Sequence, residues 1–239
     1  IPRAAELWNY SRNFFFNNWT IVMDKSVVII CDGSFPKTEY PQYLIQTADF
    51  IICCDGALTK FLRNSRRIFG EERLPDLVIG DMDTLSPAMQ KKYADIIIRE
   101  EEQEHNDQTK AVRWVLNNLK ETTAIYIIGA TGGRADHTIG NLSLLMEYTR
   151  MFDLEDIILE AVSDEGTVFP INDTTEFDCG KGREISIFSP DNSLRITSEG
   201  LEYKTDDVVF DNWWKATLNK ASEDKVRLIF NHRSIALIM

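Results

Sequence analysis

The sequence predicts an α/β protein, a mostly parallel sheet covered by helices on both faces, followed by a smaller all-β region. Three observations carry this reading. Runs rich in Val and Ile recur at 26–31, 50–54, 77–79, 96–98 and 124–128, as expected of strands buried on both faces. Helical patterns separate several of these runs, and strand alternating with helix implies parallel pairing through crossovers. Beyond about Val162 the texture changes to short stretches at 184–188, 194–197, 226–230 and 234–238, divided by Gly, Pro, Asp and Asn, which read as strands joined by turns.

Taken in order, the first 20 residues, with Phe14, Phe15 and Phe16 between Trp8 and Trp19, are too apolar for a free tail and are expected to pack on the domain. The strand runs follow. Between Asp107 and Leu119 the apolar residues Val112, Val115, Leu116 and Leu119 keep the spacing of one helical face. A second helical stretch follows the last of these strands, at 138–148. No repeat or low-complexity linker intervenes, so the domains are expected to join directly, with 1–165 as the α/β domain and 166–239 as the β domain. An open, Rossmann-like sheet of this kind binds ligands outside the carboxyl ends of its strands.

Composition narrows the function classes. With 239 residues, 44% hydrophobic and 27% charged, the chain is ordinary globular material. Its formal net charge of -12, unbroken by any Lys/Arg run, points away from DNA or RNA as partner. Nucleotide phosphates remain compatible if a divalent cation stands between them and the carboxylates. The apolar runs are too short to span a bilayer, and a soluble, cytoplasmic protein is expected. Cys31, Cys53, Cys54 and Cys179 lack a metal-ligand spacing and read as free, buried thiols.

Four motifs stand where parallel strands should end. Gly80-Asp81-Met82-Asp83-Thr84 sets two carboxylates two residues apart, on one side of an extended chain, where both can face one Mg²⁺. A solvated Asp-rich turn is the plainer alternative. The segment from Glu101 through Gln103, His105, Asn106 and Asp107 to Lys110 opens the amphipathic helix, and places Asp107 and Lys110 on one helix face near an N-terminus that favours phosphate. Acidic residues before a helix also serve as plain caps. Gly129 to His137 is a Gly-rich strand-to-helix turn in which Arg134 offers a fork for phosphate oxygens and Asp136 a further carboxylate. It matches neither the dinucleotide fingerprint nor the P-loop. Asp55-Gly56, directly after a buried strand, could be a turn alone. Neither His105 nor His137 needs to act as a general base in phosphoryl-type transfer.

Read together, Asp55-Gly56, Gly80 to Thr84, Asn106 to Lys110 and Gly132 to His137 resemble the motif set of the thiamin pyrophosphokinase family. The resemblance implies an α/β catalytic domain, a C-terminal β-sandwich and a homodimer with active sites between subunits. By motif matching, Asp81, Asp83 and Asp107 correspond to the acidic metal and diphosphate site, Asp55 and Asp136 add carboxylates, and Gln103, Lys110, Arg134 and Thr84 belong to the nucleotide contacts. The implied reaction is in-line attack of the thiamin hydroxyl on the β-phosphorus of ATP, with Mg²⁺ on the triphosphate and AMP leaving. The late segments depart from the family pattern. Gly200-Leu201-Glu202-Tyr203 stands where relatives have Gly-Leu-x-Trp, and Thr217-Leu218-Asn219 where they have Thr-Ser-Asn. Tyr203, Trp213 and Trp214 are candidate aromatic faces for thiamin.

Two alternatives remain open from the residues. Asp81-Met82-Asp83-Thr84 also fits the Asp-x-Asp-x-Thr element of haloacid-dehalogenase-like phosphatases, in which Asp81 would be a nucleophile. A non-catalytic thiamin- or nucleotide-binding module would keep the same carboxylates.

Overall fold

The computed structural model describes residues 25–239, and the packing expected of the first 20 residues lies outside them. The described chain divides into two compact units, the first ending at Val168 and the second comprising Phe169–Met239.

In the first unit six strands form a parallel sheet. They are β1 (Lys25–Ile30), β2 (Phe50–Cys54), β3 (Leu77–Gly80), β4 (Ile97–Arg99), β5 (Thr122–Ile128) and β6 (Ile158–Val162). Their spatial order is β6-β5-β1-β2-β3-β4. Val28, Ile29, Ile52, Cys53, Val78, Ile79, Ile125 and Ile127 are buried throughout, which is why these segments read as unbroken apolar runs. Five helices connect the strands: α1 (Glu39–Thr47), α2 (Ala57–Phe69), α3 (Pro87–Lys92), α4 (Asp107–Asn118) and α5 (Ala135–Met151). Leu58, Phe61 and Ile68 of α2 pack with Leu44 and Ile45 of α1 on Val28, Ile51 and Val78. Each such fully buried side chain contributes about 1.5–3 kcal/mol of transfer free energy. Gly70, in the left-handed conformation, ends α2 with its N–H on the Arg66 carbonyl.

The strand order reverses between β1 and β5, the place where open α/β sheets bind ligands, and here the two following turns are hydrogen-bonded, the Gly33 N–H to the Gly129 carbonyl and the Ser34 N–H to the Thr131 carbonyl, each at 2.8 Å. Gly129 takes φ 73°, and a Cβ there would lie 2.5 Å from the Cys31 carbonyl oxygen. Glycine alone lets the two turns approach this closely.

The second unit is antiparallel. One sheet runs β11 (Ala216–Lys220), β9 (Glu184–Phe188), β13 (Ala236–Ile238), β7 (Thr167–Ile171), and the other β10 (Ile196–Glu199), β12 (Lys225–Phe230), β8 (Thr175–Asp178). Ile171, Ile185, Ile187 and Ile238 of the first sheet share one core with Phe177, Ile196, Val226 and Leu228 of the second, a β-sandwich. Phe169 and Phe177 meet edge to face at 5.4 Å. Strands β6, β7, β8 and β11 were not among the sequence expectations. All four cysteines are free thiols as expected; Cys31, Cys53 and Cys54 are buried as expected too, whereas Cys179 is partly exposed. Among the described residues no helix is long and apolar enough to cross a membrane.

Candidate active site

The carboxyl ends of β1, β2, β3 and β5 and the loop into α4 carry the candidate residues. β3 stops at Gly80 because its φ of 153° turns the chain out of the sheet. Met82 then takes φ 66°, and the Asp83 N–H donates to Asp81 Oδ1 at 3.1 Å. The segment is a tight turn, not the extended chain expected from the two-residue spacing. The side-chain acceptor of Asp81 favours this local closure over strand continuation. The carboxylates of Asp81 and Asp83 still converge, and Asp55 joins them, all three offering oxygens within 4.8 Å of one another.

Asp55 is buried, with φ 39°, at the end of β2. Its Oδ2 accepts the Thr84 N–H at 3.3 Å, while Oδ1 is buried with no hydrogen-bond partner. An orphaned carboxylate oxygen is costly unless a cation or donor reaches it. Burial raises the Asp55 carboxyl above its ordinary value, against the Thr84 bonds that lower it, and the charges of Asp83 and Asp81 raise it further. Asp81 is shifted the other way, first by the Gln103 Nε2 bond to its Oδ2 at 2.9 Å.

Asn106 caps α4 by accepting the Thr109 N–H, and Asp107 and Lys110 then lie on adjacent turns of one face, with Lys110 Nζ 3.2 Å from Asp107 Oδ1. Asp107 stands across Gly80 from Asp55, where a Cβ on Gly80 would lie 3.0 Å from both the Asp107 Cγ and the Asp55 Cβ. Burial raises the Asp107 carboxyl, and Lys110 opposes that shift. The close carboxylate group is thus Asp55, Asp81 and Asp83, with Asp107 set beside it and held by Lys110. The expected ligand set was Asp81, Asp83 and Asp107. These hard oxygen donors, the orphaned Asp55 oxygen among them, are of the kind that suits Mg²⁺.

Arg134 and Asp136 form a bidentate pair on the exposed Gly-rich turn, Nε to Oδ1 at 3.1 Å and Nη2 to Oδ2 at 2.5 Å. The pair holds Asp136 down at about 2. The fork expected for phosphate is therefore engaged by Asp136 in this state. His105 binds Glu102, Nδ1 to Oε1 at 3.0 Å, and the exposed His137 donates its N–H to Asp136.

Thr217 and Asn219 stand in the second unit. The buried Asn219 amide donates to the Tyr203 carbonyl at 2.6 Å and accepts the Tyr203 N–H at 3.1 Å. Thr217 Oγ1 donates to the Trp214 carbonyl at 2.8 Å. Both residues position the backbone of exposed aromatics. Trp213 and Trp214 are 60% and 66% exposed.

Sequence reasoning overlooked Asp32. It follows β1 as Asp32-Gly33, the same Asp-Gly signal as Asp55-Gly56 after β2. Its carboxylate pairs with Lys60 at 2.9 Å, and Lys60 also donates to the Gly33 carbonyl.

The sheet and this site define an α/β protein that gathers carboxylates suited to a hard cation at the carboxyl ends of parallel strands. Two family descriptions match the chain, "Thiamin pyrophosphokinase, catalytic domain" over residues 41–157 and "Thiamin pyrophosphokinase, substrate-binding domain" over residues 166–235. The chain belongs to the thiamin pyrophosphokinase family, and it is an enzyme of the diphosphotransferase type. It is 25% identical to thiamine pyrophosphokinase 1 of Oryza sativa subsp. japonica over 226 residues, 84% of this chain and 82% of that protein. It is 30% identical to thiamin pyrophosphokinase 1 of Caenorhabditis elegans over 105 residues, 42% of this chain and 41% of that protein. The fold is like that of thiamin pyrophosphokinase from Candida albicans, at TM-score 0.71 and 17% identity, covering 89% of this chain and 88% of that one. The yeast enzyme superposes at TM-score 0.69 and 17% identity, covering 90% and 86%. These matches support neither the phosphatase reading of Asp81 nor the silent binding module.

Proposed function

We propose that the chain transfers the terminal diphosphate of ATP to the hydroxyl of thiamin, giving thiamin diphosphate and AMP, at the site built on Asp55, Asp81, Asp83, Asp107 and Lys110. The observation that carries this reading is the convergence of three carboxylates, one with a buried unpartnered oxygen, beside a buried ammonium group. Asp55, Asp81 and Asp83 would hold Mg²⁺, with Asp107 beside them; when bound, the ion neutralises triphosphate charge and fixes its orientation.

The chain's own groups supply the remainder. Gln103 fixes the orientation of the Asp81 carboxylate, and Thr84 does the same for Asp55. Lys110, desolvated in the fold, presents a positive charge where the diphosphate accumulates negative charge. The Gly-rich turn brings backbone and Arg134 to the nucleotide phosphates, an incoming phosphate competing with Asp136 for the guanidinium. The thiamin oxygen bonds to the β-phosphorus, the bond from that phosphorus to its α-bridging oxygen breaks, AMP keeps that oxygen, and the alcohol proton is released. No covalent enzyme intermediate forms. Tyr203, Trp213 and Trp214 offer exposed aromatic surface for thiamin and for a second protomer in a cytoplasmic homodimer.

Incubation with thiamin, ATP and Mg²⁺, followed by chromatography, should give thiamin diphosphate and AMP in equal amounts. Release of inorganic phosphate alone would favour the phosphatase chemistry instead, and substrate binding without turnover the silent module.

A further inference from the structure

Asp107 and Lys110 face the carboxylate cluster, but the residues interleaved with them, Asn106, Gln108 and Thr109, face a separate polar network. Its centre is Asn141, in the second turn of α5. Asn141 Nδ2 donates to the Ala130 carbonyl of the Gly-rich turn at 3.0 Å, and its Oδ1 accepts from Asn106 Nδ2 at 3.0 Å. Its backbone carbonyl accepts from Gln108 Nε2 at 3.0 Å. The amide orientation is fixed, because a flip would set oxygen against the Ala130 carbonyl and amide against amide.

Two helical turns further along the same face of α5, the buried Tyr148 hydroxyl meets Thr109 Oγ1 at 2.8 Å and Gln108 Nε2 at 3.3 Å. Thr109 in turn donates its N–H and hydroxyl to Asn106 Oδ1 at 3.0 and 2.9 Å. Gln108, Thr109 and Tyr148 are buried, so the bonds at the Tyr148 hydroxyl are made in a low-dielectric interior where they are stiff, and they anchor the exposed Asn106, whose bond to Asn141 lies at the surface. One carboxamide therefore ties the start of α4 to the turn that follows β5. These two segments come from different strand ends and are joined by no backbone ladder.

We propose that Asn141 is a positioning residue for the diphosphate transfer: it fixes the register between the Asp107/Lys110 turn and the Gly-rich turn, so that both close on one triphosphate. The inference rests on the reaction proposed above and adds to it a residue that touches neither substrate nor cation.

Three proteins carry the test: Asn141→Ala, Asn106→Ser and the double variant. Serine keeps an oxygen for the Thr109 N–H, so the α4 cap survives without added charge, but it has no amide hydrogen for Asn141. Each is assayed for kcat, for the KM of ATP and of thiamin, for the Kd of a non-hydrolysable ATP analogue with Mg²⁺, and for melting temperature. Each single variant should lower kcat/KM for ATP roughly ten- to hundred-fold and weaken analogue binding. The KM of thiamin should stay within about twofold. The double variant should add little, since both changes cut one link. Wild-type kinetics and analogue Kd in Asn106→Ser would overturn the proposal. So would losses that follow melting temperature and vanish well below it. A wild-type chain that binds the analogue but makes no thiamin diphosphate counts against the reaction, and the analogue Kd of the variants still decides the role of Asn141.

Discussion

Lys110 Nζ stands 3.2 Å from Asp107 Oδ1 and 3.0 Å from the Glu100 carbonyl oxygen, with only 3% of its side chain exposed. Two acceptors leave the ammonium a third proton. Replacing it by the similarly shaped Lys110→Met leaves the half-buried Asp107 without its partner. The expected cost is about 1–3 kcal/mol in denaturant unfolding. The expected loss in kcat is roughly a hundred- to a thousand-fold, if Lys110 stabilises transferring phosphate. Denaturation and steady-state kinetics on one preparation separate the two effects.

Gly80 is the hinge on which Asp55, Asp81 and Asp107 meet. A methyl group would press on the Asp107 carboxyl and the Asp55 Cβ at 3.0 Å, in a conformation that L side chains rarely adopt. Gly80→Ala should cost about 1–3 kcal/mol and weaken Mg²⁺ binding, read by titration calorimetry. An unchanged Mg²⁺ affinity would separate Gly80 from the cation site.

In the β-sandwich, Asp191 gathers Ser193 Oγ at 2.6 Å, Ser234 Oγ at 2.7 Å and His232 Nε2 at 3.0 Å, joining the turn after β9 to the turn after β12. The two serine hydroxyls, first among these groups, hold its carboxyl below the usual range. A carboxyl depressed in the folded state stabilises the fold above its unfolded pKa of about 4, and that contribution is lost as pH falls through the folded value. Asp191→Ala should therefore be less stable by about 1–3 kcal/mol near neutrality. The gap to wild type should narrow on acidification, as urea melts across the acidic range would record.

Leu218, 87% exposed at φ 59°, lies on β11 near the exposed Trp213 and Trp214 in sequence. If this apolar surface is covered by a second protomer, Leu218→Asp should shift sedimentation from dimer to monomer while the isolated fold keeps its far-ultraviolet spectrum. A wild-type monomer at micromolar concentration would remove the surface from the dimer account.

What the sequence made legible follows from burial. Strands such as β1 and β5 carry unbroken apolar runs, Val27 to Ile30 and Ala124 to Ile128, because both faces are covered there, so they stand out. β11 does not, because the register shifts between Ala216 and Asn219 and Leu218 turns outward. β8, with the sequence TEFD, buries only Phe177 fully and has no run to find. At the site, the nearness of Asp81 and Asp83 follows from their closeness in sequence, but the tight turn that brings their carboxylates together was not legible in the two-residue spacing. The meeting of Asp107 with Asp55 across Gly80 depends on the β2–β3–α4 arrangement and was not legible either. Asn141 carried no motif signal at all, since its role arises from the distance between two loops.

The most direct test of the central claim follows the phosphorus atoms. With ATP carrying separate labels on its β- and γ-phosphates, both labels should appear together in thiamin diphosphate, with one AMP released per product. Turnover should be lost in Asp81→Asn and in Asp83→Asn while the fold persists. Transfer of the γ-label alone, or near-wild-type turnover in both variants, would contradict the account.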